Sequence, residues 1–196
     1  MILPNQLTVA RIVLTPIFLY LFLSENPLFN LISVFVFVIA ALTDWYDGWL
    51  ARKYNYITNW GKFLDPLADK ILTSATFIGF VILDQIDLWM VILIIFRDFL
   101  VTGMRIWAEF NDLEFRTSYI AKVKTFLQML FLYYLVLIFF LQNILSQNQI
   151  ALDYLQIIGN KTIYFWVLLG ITILTLYTLF DYFTYNQKQI KEFFRK

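Results

Sequence analysis

Six predominantly apolar stretches, separated by short polar breaks, constrain this chain more than any other feature: Leu7–Leu23, Leu28–Ala51, Lys62–Leu83, Leu88–Ala108, Ser118–Leu141 and Thr162–Phe183. Each is close to the roughly 20 residues that an α-helix needs to cross a bilayer. Composition agrees: of 196 residues, 61% are apolar and 15% charged, against about 45–50% and 25% in a soluble domain. The pattern predicts an all-α polytopic membrane protein with six transmembrane helices. The segment Pro4-Asn5-Gln6-Leu7-Thr8 is expected to lie in the membrane interface ahead of the first span. No repeat or long linker interrupts the chain, so residues 1–196 are expected to form one domain.

Orientation follows from the basic residues. Every Lys and Arg except Lys161 falls on or toward one side of the six-span scheme. The opposite turns, Ser24–Pro27, Asp84–Asp87 and Gln142–Lys161, are otherwise free of them. Cytoplasmic loops carry the excess of Lys and Arg, which puts both termini in the cytoplasm and fits an even number of spans. Trp89 and Tyr164, near span ends, read as interfacial anchors. A net charge of +1 offers no field to attract nucleic acid.

The chain has no Cys and no His. Disulfides, thiolate nucleophiles, Cys/His zinc sites and phosphohistidine intermediates are therefore excluded, and acid–base chemistry falls to carboxylates, Lys or Tyr. Ionised carboxylates inside a span are costly unless they are paired, hydrated or bound to metal. Even so, the second and third spans carry them in pairs: Asp44 and Asp47 near the end of one, Asp65 and Asp69 near the start of the next. At about 100° per residue, the members of each pair stand roughly 60° and 40° apart on their helices. Two antiparallel helices joined by a short loop can then direct all four at one spot, where a divalent cation offsets their repulsion. All-oxygen ligands suit Mg²⁺ or Mn²⁺. Gly48, Ala51 and Gly61 keep the same faces free of bulk. The plainer reading is a structural network in which Arg52, Lys53, Lys62 and Lys70 pair with these aspartates.

Written out, Asp44-x₂-Asp47-Gly48-x₂-Ala51-Arg52-x₈-Gly61-x₃-Asp65-x₃-Asp69 resembles the signature of the CDP-alcohol phosphatidyltransferase family at every fixed position. The opening Leu3–Arg11 is similar to that family's usual start. The stretches Phe96–Arg105 and Ala121–Thr125 narrow the likeness to bacterial members that use glycerol 3-phosphate. The resemblance implies transfer of a phosphatidyl group from CDP-diacylglycerol to sn-glycerol 3-phosphate, giving phosphatidylglycerophosphate and CMP, in a homodimer of the bacterial inner membrane with a cytoplasmic active site. It implies that Asp44, Asp47 and Asp65 hold two divalent ions, that Asp69 joins that ligand set and acts as general base, and that Asn5, Thr8, Gly48, Ala51, Arg52 and Gly61 border the CDP-lipid. A dianionic acceptor needs cations of its own, and Arg105, Lys122 and Lys124, around the break between spans four and five, are the candidates. Their plainer role is to enforce topology or to touch anionic headgroups. Arg97 and Asp98, adjacent in span four, do not share a helix face, so each is expected to pair with another helix.

Two alternatives remain open from sequence. One is a sibling transferase with another acceptor, of the cardiolipin, inositol-phosphate or serine type. The other is a divalent-cation transporter, although such sites tend toward mid-bilayer and broken, repeated helices.

Overall fold

The computed structural model describes residues 3–54, 59–111, 113, 115–187 and 189–190, with side chains described for 7–43, 46, 64–111, 113, 115–187 and 189–190. Every regular element among them is an α-helix: α1 (Leu3–Phe22), α2 (Pro27–Tyr54), α3 (Asn59–Ile82), α4 (Leu88–Phe110), α5 (Tyr119–Ile144), α6 (Gln149–Ile158) and α7 (Lys161–Tyr185). The expected spans correspond to α1 to α5 and α7, with two differences. First, the opening segment is continuous with the first apolar run as a single helix. Pro4 sits in the first turn of α1, where a missing N–H leaves no helical bond unmade, so the helix starts at Leu3 and runs on. Second, the polar break Gln142–Lys161 contains the short helix α6. Asn148 caps it by accepting from the Ala151 N–H, and Asn160 caps α7 by accepting from the Thr162 N–H. Ten residues extend only about 15 Å, so α6 is too short to cross a bilayer. It buries Leu155 and leaves Ile150, Tyr154 and Ile157 exposed.

The helices alternate in direction, which gives the bundle two ends. At one, an exposed Lys161–Asp84 ion pair of 2.8 Å ties the α3–α4 turn to the start of α7. At the other, Thr8 of α1 meets Asp65 of α3, and Asn186 beyond α7 meets Arg116 before α5. The α2–α3 carboxylates belong to this second end.

Between the ends, aromatic rings fill the centre. Phe22 contacts Phe139 at 4.4 Å and Phe80 at 5.0 Å between centroids, and Phe18 contacts Phe37 at 5.6 Å. Gly79 makes this packing possible, since a Cβ there would lie 2.9 Å from the Phe22 ring. Such close approach through a small residue is how apolar helices associate where lipid removes the hydrophobic drive. Tyr164, expected at the interface, is instead 3% exposed and sits edge-on to Phe131 and Tyr134. Trp89 keeps the exposure expected of an anchor.

The outside of the bundle is as apolar as the inside. Leu42, Phe96, Phe126, Trp166, Ile173 and Phe180 are each more than half exposed. Water disfavours apolar surface this extensive, whereas lipid accepts it. Two stretches, Tyr119–Ile144 and Gln149–Tyr185, are long and apolar enough to cross a bilayer, and Leu7–Phe22 and Pro27–Thr43 are shorter apolar helical runs. Several buried hydroxyls are satisfied locally: those of Thr15, Thr76, Thr172 and Thr175 each donate to the carbonyl four residues earlier.

Candidate active site

Helix α3 positions the part of the carboxylate set whose side chains are described. Asp65 and Asp69 are one turn apart on one face, both partly buried. The Thr8 hydroxyl donates to the Asp65 carboxylate, so α1 supports that side chain from beneath. Asp69 lies 3.4 Å from the Lys70 ammonium and keeps 34% of its side chain exposed. Arg11, fully buried, shares a small cavity of about 30 Å³ with Asp69 and Thr73. Helix α2 carries Asp44, Asp47, Gly48, Ala51 and Arg52, α1 carries Asn5 and α3 carries Gly61, but these side chains lie outside the described residues. Among the described residues no three acidic side chains cluster closely enough to hold an ion. The visible donors are nonetheless of the kind a hard divalent cation takes: carboxylate oxygens at a partly open site, in a chain without His or Cys.

On its outer side Asp69 opens into a cavity of about 360 Å³ lined by Pro66, Lys70, Thr102, Arg105, Glu109 and Phe115 among others. Two helices form it. Asp69 and Lys70 come from the first turns of α3, and Thr102, Arg105 and Glu109 from one face of the last turns of α4 at three- and four-residue spacing. The residues leading into α5 close it, with Leu113 and Phe115 on the wall. A carboxylate and a guanidinium thus face one volume large enough for a small polar molecule.

The three cations expected to bind an acceptor phosphate separate here. Arg105 is exposed and lines the cavity beside Asp69. Lys122 is exposed on α5 but is not among the lining residues. Lys124 is fully buried, and its ammonium donates to Asp98 Oδ1 at 2.6 Å. Helix phase is the reason: two positions apart on a helix is about 200°, so Lys122 and Lys124 cannot serve one site. Lys124 belongs to a closed polar knot between α4 and α5. Asp98 Oδ1 also accepts from Arg97 Nη1 at 3.2 Å, and Asp98 Oδ2 accepts from Gln128 Nε2 at 3.0 Å. Asp98 therefore pairs with another helix as expected, while the arginine beside it folds back onto the same carboxylate.

Thr102, Glu109 and Phe115 join the site only in three dimensions, whereas Lys70 pairs with Asp69 as the plainer structural reading expected. The i, i+3, i+7 spacing of Thr102, Arg105 and Glu109 was the sequence signal available for the α4 face.

The sequence model of the CDP-alcohol phosphatidyltransferase family matches residues 1–174. The chain belongs to the CDP-alcohol phosphatidyltransferase family, as the Asp44–Asp69 pattern implied. Its relatives include the CDP-diacylglycerol–glycerol-3-phosphate 3-phosphatidyltransferase of Rickettsia typhi, 39% identical over 178 residues that cover 91% of this chain and 94% of the relative. The proteins of the same name from Bacillus subtilis and Salmonella typhimurium are 43% and 37% identical, over 65% and 68% of this chain and 72% and 75% of theirs.

Proposed function

We propose that this protein is a membrane-embedded CDP-diacylglycerol–glycerol-3-phosphate 3-phosphatidyltransferase. The observation that carries the reading is the shared cavity of Asp69 and Arg105, which sets a partly exposed carboxylate and a guanidinium around one small volume at the carboxylate-bearing end of the bundle. The relatives' names supply the reaction, and the cavity supplies a place for its acceptor.

In this reading α1 to α5 and α7 are the six spans of a single domain, and the charged end faces the cytoplasm, as the distribution of Lys and Arg supports. The family resemblance supports a homodimer. Asp44, Asp47 and Asp65, with Asp69 at the edge of the set, hold divalent metal, Mg²⁺ or Mn²⁺. When bound, that metal neutralises the pyrophosphate and makes CMP an adequate leaving group. Asn5, Thr8, Gly48, Ala51, Arg52 and Gly61 border the CDP-lipid, and Thr8 additionally orients Asp65 through its hydroxyl.

Glycerol 3-phosphate enters the outer cavity with its phosphate on Arg105, whose forked donors suit a dianion. Lys70 adds positive charge on the same wall. Lys122, outside the cavity, is left with the weaker role of attracting the dianion to the surface. Lys124 contributes by fixing α5 against α4. Asp69 accepts the proton of the attacking hydroxyl as its oxygen bonds to the phosphorus that carries diacylglycerol, and the bond from that phosphorus to the CMP oxygen breaks. With no His or Cys available, direct transfer needs the fewest groups.

The test is CMP release by the purified protein with CDP-diacylglycerol and a panel of acceptors. Glycerol 3-phosphate should be used, and phosphatidylglycerol, inositol phosphate and serine should not. Arg105→Ala should raise the KM for glycerol 3-phosphate about tenfold or more, as expected when a charge-assisted hydrogen bond is lost, with the KM for CDP-diacylglycerol unchanged. An unchanged acceptor KM would remove the phosphate from this cavity.

A further inference from the structure

The outer cavity has a wall that neither α3 nor α4 supplies. Leu113 and Phe115 stand on the connection between α4 and α5, and such a connection needs something to hold it. One end is anchored locally, by the Leu113 N–H donating to the Ala108 carbonyl at 2.9 Å. The other end is held from a distance. The Asn186 side chain, just past α7, accepts from the Arg116 N–H at 2.9 Å and donates to the Arg116 carbonyl at 3.2 Å. Its amide thus pairs with the backbone of Arg116 as a second peptide would. A further bond to the Tyr182 carbonyl at 2.9 Å fixes its direction. Asn186 is fully buried, and its two bonds to the Arg116 backbone are partly shielded from water. One turn earlier, the buried Tyr182 ring stacks on Phe115 at 5.6 Å and 17°.

We infer that Asn186 and Tyr182 are positioning residues for the acceptor: together they clamp the α4–α5 connection so that Phe115 forms a fixed wall of the cavity opposite Asp69. The last span thereby shapes a site to which it contributes no lining side chain. Both residues lie beyond the stretch, 1–174, matched by the family model, so this part of the site is built by the chain's C-terminal region. The inference rests on the reading of the cavity as the acceptor site.

If Asn186 only capped α7, its loss would lower stability and leave the substrates equally affected. A positioning role separates them. In the full-length enzyme, Asn186→Ala should raise the KM for glycerol 3-phosphate about five- to tenfold, the range for one or two buried neutral hydrogen bonds. The KM for CDP-diacylglycerol should stay the same, and kcat should change less than about twofold. Phe115→Leu keeps the backbone clamp and shrinks only the wall, and should give the same selectivity with a smaller rise. It carries the test alone if Asn186→Ala does not fold. Equal changes in both KM values, loss of kcat with the acceptor KM intact, or no change in whichever variants fold would overturn the inference. Arg105→Ala measured alongside separates the two claims. A selective effect there without one at Asn186 or Phe115 leaves the acceptor cavity standing and removes the clamp. No effect at Arg105 removes the cavity's role itself.

Discussion

Replacing Asp98 by leucine strips the α4–α5 knot of its one carboxylate and leaves three donors facing the gap. Lys124, fully buried, loses its 2.6 Å partner, and Arg97 and Gln128 lose theirs at 3.2 and 3.0 Å. Breaking a buried pair by removing one partner costs about 3–5 kcal/mol, because the remaining charge is uncompensated. For a chain of this length each kcal/mol moves the melting temperature by about 2–4 °C, so Asp98→Leu should melt about 6–20 °C below the parent in detergent. Lys124→Met should be milder, since Asp98 then retains Arg97 and Gln128. The double variant decides the matter: removing both charges and refilling the space with apolar groups should recover most of the loss. Differential scanning of the four proteins gives the coupling directly. Additivity to within about 0.5 kcal/mol would show that the two residues do not depend on one another, and the structural assignment of Lys124 would fall. A stable Lys124→Met with a selectively raised KM for glycerol 3-phosphate would restore Lys124 to the acceptor site.

Three further outcomes follow from the same geometry. Asp69→Asn should lower kcat by about 10²–10⁴, the usual contribution of a positioned acid–base group, with CDP-lipid binding retained in a direct binding assay; equal loss of both would assign Asp69 to binding. Removing divalent metal with a chelator should stop CMP release and added Mg²⁺ or Mn²⁺ should restore it, and turnover in metal-free buffer would refute the carboxylate–metal reading. Gly79→Ala places a Cβ at 2.9 Å from the Phe22 ring, so it should destabilise the α1–α3 contact by about 1–3 kcal/mol, seen as a lower melting temperature with unchanged KM values.

Six of the helices were legible in the sequence because each apolar run is long enough to form a helix and is bounded by polar breaks. Helix α6 was not, since ten residues inside a polar break carry too little periodicity; its Asn148 and Asn160 caps were the available sign. The Asp65–Asp69 pair on α3 could be read because four-residue spacing along a helix puts two side chains on one face, whereas the side chains of Asp44 and Asp47 lie outside the described residues. Tyr164 misled because an aromatic at a span end looks alike whether it faces lipid or, as here, the Phe131 and Tyr134 rings. Asn186 gave no sequence signal at all: its partner, Arg116, is 70 residues away, and the bond is to backbone.

The cations expected at the acceptor show the general physical rule. Inside a membrane an ionised side chain persists either because neighbours satisfy it completely or because it opens onto water and ligand. Asp98 is of the first kind, with both carboxylate oxygens occupied by Lys124, Arg97 and Gln128 and almost no exposed surface. Asp69 is of the second: a third of its side chain is open, and it faces a cavity shared with Arg105. Both aspartates lie within helices beside a basic residue, so their sequence contexts look alike. What separates them is position along the helices. Lys124 and Gln128, one turn apart on α5, turn together toward Asp98, whereas Arg105, seven residues after Asp98 on α4, meets the cavity where that helix leaves the core. A charge closed on all sides is fixed by its partners, and one left partly open beside a cation faces whatever enters the cavity.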